Sequence, residues 1–331
     1  MNALDSEGYS SPRIMHIGMG LVCGNKIKDM VNAGFNFTIY LADWHSWINN
    51  KLGGKMENIK AAGEYFKECF IGLGLTKGVN YVWASELAKE IEYWEKVIRI
   101  AKNTSINRVW RALPIMGRAM DSQDIDASAI FYPCMQAADI FHMNIDVACA
   151  GIDQRKVHML ARDVAEKMKW KKPICLHTPL LTGLSGPVEQ LKGKYDEDPK
   201  LNAKIKSKMS KSIPSNSIFV HDPPEIIKAK IEKAYCPPKQ VEFNPVLEIA
   251  KYCVFPAVKT FHLIRSEKYG GGKEYENYDA LEKDYLNGLI HPLDLKVSVS
   301  QALIDILKGV RERFKENPAP LNTVLNLKIT R

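Results

Sequence analysis

The chain has 331 residues, 46% of them apolar and 25% charged. This is ordinary globular composition, enough for two domains, and it excludes a disordered chain. Lys and Arg outnumber Asp and Glu by 46 to 38, a net charge of +8 that is compatible with a polyanionic partner, and no apolar run approaches the roughly 20 residues of a membrane span.

The first two thirds alternate strand-like and helix-like segments. Residues 21–33 read as a helix that Gly34 ends as its C′ residue. Residues 35–41 (FNFTIYL) are β-branched and aromatic and read as a buried strand. Further strands are expected at 80–83, 145–150 (IDVACA) and 173–176 (PICL), with a helix near 91–101. Strands separated by helices imply βαβ crossovers and a mainly parallel sheet, with ligands beyond the strands' carboxyl ends. Residues just after Leu41 and Ala150 are therefore the place to look. Residues 186–206 carry Lys, Asp and Gly without an apolar face and read as a mobile surface loop. From about Pro223 no strand alternation is found. A helix is expected over 223–234, and Val299, Leu303, Ile306, Leu307, Val310 and Phe314 follow helical spacing. The seven cysteines form no CxxC pair, which argues against a zinc ribbon or a redox dithiol and fits reduced thiols. The N-terminus shows neither a signal-peptide nor a transit pattern.

Two separated elements carry chemistry. His16-Ile17-Gly18 runs into the first helix, and Lys208-Met209-Ser210-Lys211-Ser212 follows the last expected strand. A lone histidine before a helix is usually structural, and a Lys/Ser run is usually a solvated loop. In this order, HIG and then KMSKS, the chain resembles the class I aminoacyl-tRNA synthetases. The resemblance implies amino-acid activation by ATP, which builds negative charge on a pentacoordinate phosphorus and on the leaving pyrophosphate. His16 is then a donor to a phosphate oxygen. Gly18, lacking a Cβ, leaves room for the adenine or ribose. The helix start adds N–H donors. Lys208 and Lys211 close over the pyrophosphate as charge develops.

Tyr132, Gln136 and Asp139 stand at i, i+4 and i+7, one face of a helix beginning near Tyr132, with Pro133 tolerated in its first turn. A half-exposed polar face is the plain alternative. The set resembles the YPxxQxxD helix of tyrosyl-tRNA synthetases. By that resemblance Asp139 accepts the substrate's phenolic O–H, and Tyr132 and Gln136 hold its ammonium group. Gly151-Ile152-Asp153-Gln154-Arg155-Lys156 resembles the family's G-x-D-Q-R-K, which makes Gly151 and Asp153 ribose contacts and Gln154 a tyrosine contact; helix capping by Asp153-Gln154 is the alternative. Ala42-Asp43-Trp44-His45 resembles the family's ADxH segment. Ala42 then leaves room for the substrate ring and His45 shapes the pocket, or else His45 is a core residue. Lys268-Tyr269-Gly270-Gly271 and His291-Pro292-Leu293-Asp294 resemble the eukaryotic and archaeal type, and residues 131–136, 234–238 and 269–271 make the resemblance closest to plant and protist enzymes. Tyr269 is the candidate for stacking on the first anticodon base, and Asp294 for accepting its hydrogen bonds.

Three departures stand out. Met19 replaces the second histidine of the HIGH signature. Ser6 falls where the family has a substrate-touching tyrosine, with Tyr9 nearby. Residues 187–206 run longer than the family's approach to KMSKS. The expected fold is α/β. A Rossmann-like parallel-sheet catalytic domain spans 1–222, with a connective insertion at about 83–131 and the KMSKS loop at 208–212. A mostly α-helical anticodon-binding domain spans 223–331. The resemblance implies a tyrosine–tRNA ligase acting on tyrosine, ATP with Mg2+ and tRNA(Tyr), with no protein-bound metal. It further implies a cytoplasmic homodimer away from any membrane, with Trp94, Val97, Ile98 and Trp110 as interface candidates against a monomer core. A non-catalytic RNA-binding relative and a tryptophan-charging relative are the alternatives.

Overall fold

The computed structural model describes residues 14–117, 119, 126–189, 192–210 and 213–327. Its helices are α1 Gly24–Asn32, α2 Asp43–Ile48, α3 Met56–Gly72, α4 Ala84–Leu87, α5 Ile91–Lys102, α6 Ile106–Ala112, α7 Phe131–His142 and α8 Arg155–Met168. They continue with α9 Pro199–Ser207, α10 Pro224–Glu232, α11 Pro245–Ile249, α12 Tyr278–Leu286, α13 Pro292–Ile306, α14 Lys308–Glu316 and α15 Ala319–Leu325. The strands are β1 Phe37–Leu41, β2 Val79–Trp83, β3 Val147–Gly151, β4 Ile174–Thr178, β5 Phe261–Leu263 and β6 Lys273–Tyr275.

The α/β expectation holds as two parallel pairs. β1 runs beside β2, with Phe37 facing Val79 and Leu41 facing Trp83. β3 runs beside β4, with Val147 facing Ile174 and Gly151 facing Thr178. Each pair ends where a helix begins. Ala42 leads from β1 into α2, and Gly151 leads from β3 into a turn and α8. The carboxyl ends of β1 and β3 thus present the segments that carry the motifs.

Local chemistry explains several boundaries. α1 closes as the Gly34 reading predicts: Gly34 has φ +87, its N–H donates to Val31 O at 2.9 Å, and Phe35 N–H donates to Met30 O at 3.0 Å. α5 buries Tyr93, Val97 and Ile100, spaced i, i+4, i+7, and packs on α7.

Three expectations are corrected. Residues 186–206 contain α9, which Asp198 caps by accepting from Lys200 and Leu201 N–H, with Pro199 in the first turn. Tyr195 and Ile205 of this stretch are buried, so apolar anchors that are not periodic hold it down. The C-terminal third holds an antiparallel hairpin, β5–β6, of three-residue strands too short to show alternation. The periodic run toward Phe314 is two helices parted at Leu307.

One hydrophobic cluster joins the first two thirds of the chain to the last, from Met15, Leu73 and Val220 to Ile227, Leu303 and Val310. A second surrounds α5, α7 and α8. The first cluster depends on a close approach of α3 to α14. A Cβ on Gly72 would lie 2.7 Å from Val310 Cα, a backbone atom that cannot turn aside. Gly72→Ala is expected to destabilise the chain by about 1–3 kcal/mol through overpacking. Urea unfolding checks this, and an unchanged midpoint would contradict it.

Candidate active site

His16 sits on a short antiparallel bridge to Phe219, with Ile17 N–H donating to Ile218 O and Val220 N–H to Met15 O, each at 3.0 Å. It opens a π-helical turn, Gly18–Cys23. Its ring folds back so that Nδ1 accepts from Gly18 N–H at 3.1 Å, and its carbonyl accepts from the amides of Met19 and Gly20. A Cβ on Gly18 would meet the ring at 2.8 Å. Gly18 therefore makes room for the imidazole itself. The amides of Gly18, Met19 and Gly20, at the helix start where donors are expected, are taken up by His16.

Gly151 and Asp153 follow β3. A Cβ on Gly151 would lie 2.5 Å from Asp153 Oδ1, so glycine lets that carboxylate fold back. Asp153 Oδ2 pairs with Lys208 Nζ at 3.0 Å, with both side chains under a tenth exposed. Lys208 is no solvated loop residue. It bridges Thr182, and Met209 N–H donates to Leu181 O at 2.7 Å. α9, just before it, is anchored to α11. Lys204 pairs with Glu248, and Thr182 donates to Glu248 through its N–H at 2.6 Å and its hydroxyl at 3.0 Å. Lys211 and Ser212, the second half of the motif, and Ser6 and Tyr9 lie outside the described residues.

The third group lies on α7. Tyr132, Gln136 and Asp139 are each 2% exposed, so the face they share points inward rather than to solvent. Gln136 Nε2 donates to Gln154 Oε1 at 3.1 Å, and Gln154 Nε2 donates to Ile115 O at 3.2 Å. The Tyr132 ring meets the His45 ring edge-on at 5.0 Å. Asp139 Oδ1 accepts from Tyr40 Oη at 2.8 Å and from Tyr93 Oη at 2.9 Å, and His45 Nε2 lies 3.2 Å from Oδ2. Ala42 is fully buried at the end of β1. Tyr40 and Tyr93 escaped the motif reading. They lie on an expected buried strand and on a helix that offers interface or core candidates, and no local spacing connects them to Asp139.

In the C-terminal third, Tyr269 is 67% exposed at the end of a short turn, and Asp294 lies in the first turn of α13. Arg265 ties the two segments, donating to Gly271 O at 2.8 Å and Leu289 O at 3.0 Å. Of the expected interface residues, Val97 is fully buried and Trp94 packs on Trp44 with ring centroids 5.6 Å apart, so both serve the monomer's own core. Ile98 and Trp110 remain exposed. Among the described residues no group of three His, Cys, Asp or Glu is placed to hold a metal, and no helix is long and apolar enough to cross a membrane.

Comparison with known proteins now bears on these groups. A family profile described as tRNA synthetases class I (W and Y) matches residues 10–189 and 201–308. The tyrosine–tRNA ligase of Aeropyrum pernix is 46% identical over 316 residues, covering 94% of this chain and 85% of that protein. The chain belongs to the class I tRNA synthetases, within the tyrosine branch. The crystal structure of tyrosyl-tRNA synthetase complexed with L-tyrosine from Pyrococcus horikoshii has a TM-score of 0.86 at 39% identity, covering 94% of this chain and 88% of that one. The Leishmania major enzyme in complex with tyrosinol has a TM-score of 0.83 at 28% identity, covering 96% of this chain and 54% of that one. The archaeal relatives are thus more similar to this chain than that protist enzyme is.

His158 Nδ1 on α8 lies 3.0 Å from His177 Nε2 on β4. Burial and the neighbouring His177 hold His158 down to about 3. An unfolded histidine binds its proton near 6.5. Below that pH the unfolded chain therefore takes up a proton that folded His158 refuses, and stability falls as pH falls. The contribution is up to about 1.4 kcal/mol per pH unit. Urea midpoints measured from pH 7 to pH 5 are expected to fall, and less steeply in His158→Gln. An identical slope in the variant would contradict the assignment.

Proposed function

We propose that this tyrosine–tRNA ligase reads its amino acid through Asp139 and its nucleotide through the Asp153–Lys208 pair. The observation that carries the reading is a buried carboxylate set one helix turn from the Gln136–Gln154 amide pair, at the carboxyl ends of β1 and β3. Asp139 accepts the substrate's phenolic O–H. Tyr132 and Gln136 hold the ammonium group, Gln154 braces Gln136 and faces the same amino acid, and Ala42 leaves room for the ring. A pocket built around a hydroxyl penalises phenylalanine, which leaves a buried acceptor without its partner.

Tyrosine's carboxylate attacks the α-phosphorus of Mg·ATP in line. The bond to the β-phosphate oxygen breaks, giving tyrosyl-adenylate and pyrophosphate. A ribose hydroxyl of the 3′-terminal adenosine of tRNA(Tyr) then attacks the carbonyl carbon, and AMP leaves. The protein's part is positioning and charge stabilisation. The ATP ribose competes for Asp153 beside Gly151, which releases Lys208 toward the phosphates. His16, over Gly18, and Lys211 complete the cationic and donor set. With Met19 lacking a donor, the load falls on these groups. The helical third, residues 223–331, reads the anticodon through Tyr269 and Asp294. Exposed Ile98 and Trp110 fit the interface of a homodimer, and the site of action is the cytoplasm.

Tyrosine-dependent ATP–pyrophosphate exchange tests the reading. Wild-type protein is expected to exchange with tyrosine rather than tryptophan. Asp139→Ala is expected to lose about 10- to 100-fold in kcat/KM for tyrosine, the range of one hydrogen bond to a charged group. Unchanged tyrosine selectivity in that variant would refute the phenol assignment. Absence of exchange with tRNA still bound would favour the non-catalytic alternative. Asp153→Asn is expected to raise KM for ATP while leaving KM for tyrosine near wild type. An equal change in both would remove Asp153 from the nucleotide site.

A further inference from the structure

Asp139 reaches its site with one oxygen already engaged. Tyr40 Oη from β1 and Tyr93 Oη from α5 both donate to Oδ1, at 2.8 and 2.9 Å. Tyr40, Tyr93 and Asp139 are 0%, 1% and 2% exposed. A carboxylate oxygen offers two lone-pair sites, so Oδ1 is full. Oδ2 accepts no hydrogen bond from the described residues, although it is buried beside His45. A buried acceptor of this kind calls for a partner.

The inference rests on the reading that Asp139 receives the substrate's hydroxyl. We propose that Tyr40 is a specificity-determining positioning residue: with Tyr93 it saturates Asp139 Oδ1, so the pocket accepts one aromatic hydroxyl, on Oδ2, and rejects a ring bearing two. The chemistry of the rejected class is definite. Adjacent hydroxyls on a catechol match the two oxygens of a carboxylate and bind it in pairs. Here the second hydroxyl meets an oxygen whose acceptor sites are spent, and its own donor is left buried without a partner. The two internal phenols stay protonated donors wherever the enzyme works. Burial, with the nearby Asp139 charge, pushes both far above the ordinary tyrosine range. They also fix the carboxylate plane from two elements distant in sequence, which keeps Oδ2 aimed in one direction.

Exchange assays with L-tyrosine, L-phenylalanine and L-3,4-dihydroxyphenylalanine test this on the full chain, using Tyr40→Phe, Tyr93→Phe and Asp139→Asn. Tyr40→Phe removes one donor and the volume of one oxygen. The ratio of kcat/KM for tyrosine over the catechol is expected to fall by about tenfold or more, equivalent to about 1.4 kcal/mol, with the change carried by KM. Tyr93→Phe, acting on the same oxygen, is expected to move the ratio the same way, and it carries the test if Tyr40→Phe does not fold. A merely structural role would lower both substrates together; a ratio within about twofold of wild type in both variants overturns the proposal. Asp139→Asn separates the two levels. If it abolishes the preference for tyrosine over phenylalanine while the catechol ratio stays fixed in the phenylalanine variants, only the role of Tyr40 fails. If it leaves that preference intact, the phenol reading fails and the inference with it.

Discussion

A carboxylate removed from water costs several kcal/mol unless hydrogen bonds replace its hydration. Asp139 meets that requirement at Oδ1, with Tyr40 on β1 and Tyr93 on α5, while Oδ2 lies 3.2 Å from His45 Nε2 on α2 and accepts no hydrogen bond from the described residues. The strand, the two helices and α7 itself are therefore held in one arrangement by a single buried charge. Remove it, and two phenols and an imidazole lose a common partner inside the second hydrophobic cluster. The arrangement is expensive in a core and makes sense where an acceptor has a use.

A second desolvated group is the Asp153–Lys208 ion pair beyond β3. Asp153 and Lys208 pair with almost no solvent contact, and glycine at 151 is what lets the carboxylate fold into place. Lys208 is in turn set by its bridge to Thr182, and Thr182 by Glu248 on α11. The same Glu248 pairs with Lys204 on α9. A chain of polar contacts thus runs from Asp153 to the helical third. The shared hydrophobic cluster and the Gly72–Val310 approach bind the same two parts together. The first two thirds of the chain and the helical third are packed as one body rather than joined by a linker.

Much of this was legible in local patterns. The Gly34 helix end, the strand at FNFTIYL, the helix beginning near Tyr132 and the i, i+4, i+7 face of Tyr132, Gln136 and Asp139 all depend on neighbours in sequence. What was missed depends on distance. Tyr40 and Asp139 are 99 positions apart, and a β-branched, aromatic strand marks Tyr40 only as core. The α9 helix did carry a local signal, Asp198-Pro199, but its apolar anchors lack helical period, so a charged stretch read as a loop. The β5–β6 strands are too short for alternation to register. At His16 the expected chemistry was altered by the fold: the amides that would face a ligand are bonded to His16 itself, through a π-helical turn that no residue pattern announces.

The most direct test of the account is a crystal structure of the protein soaked with L-tyrosine. The account predicts the phenolic oxygen within hydrogen-bond distance of Asp139 Oδ2, the ammonium group beside Tyr132 and Gln136, and Tyr40 and Tyr93 still on Oδ1. A tyrosine ring bound with its hydroxyl away from Asp139 would contradict it.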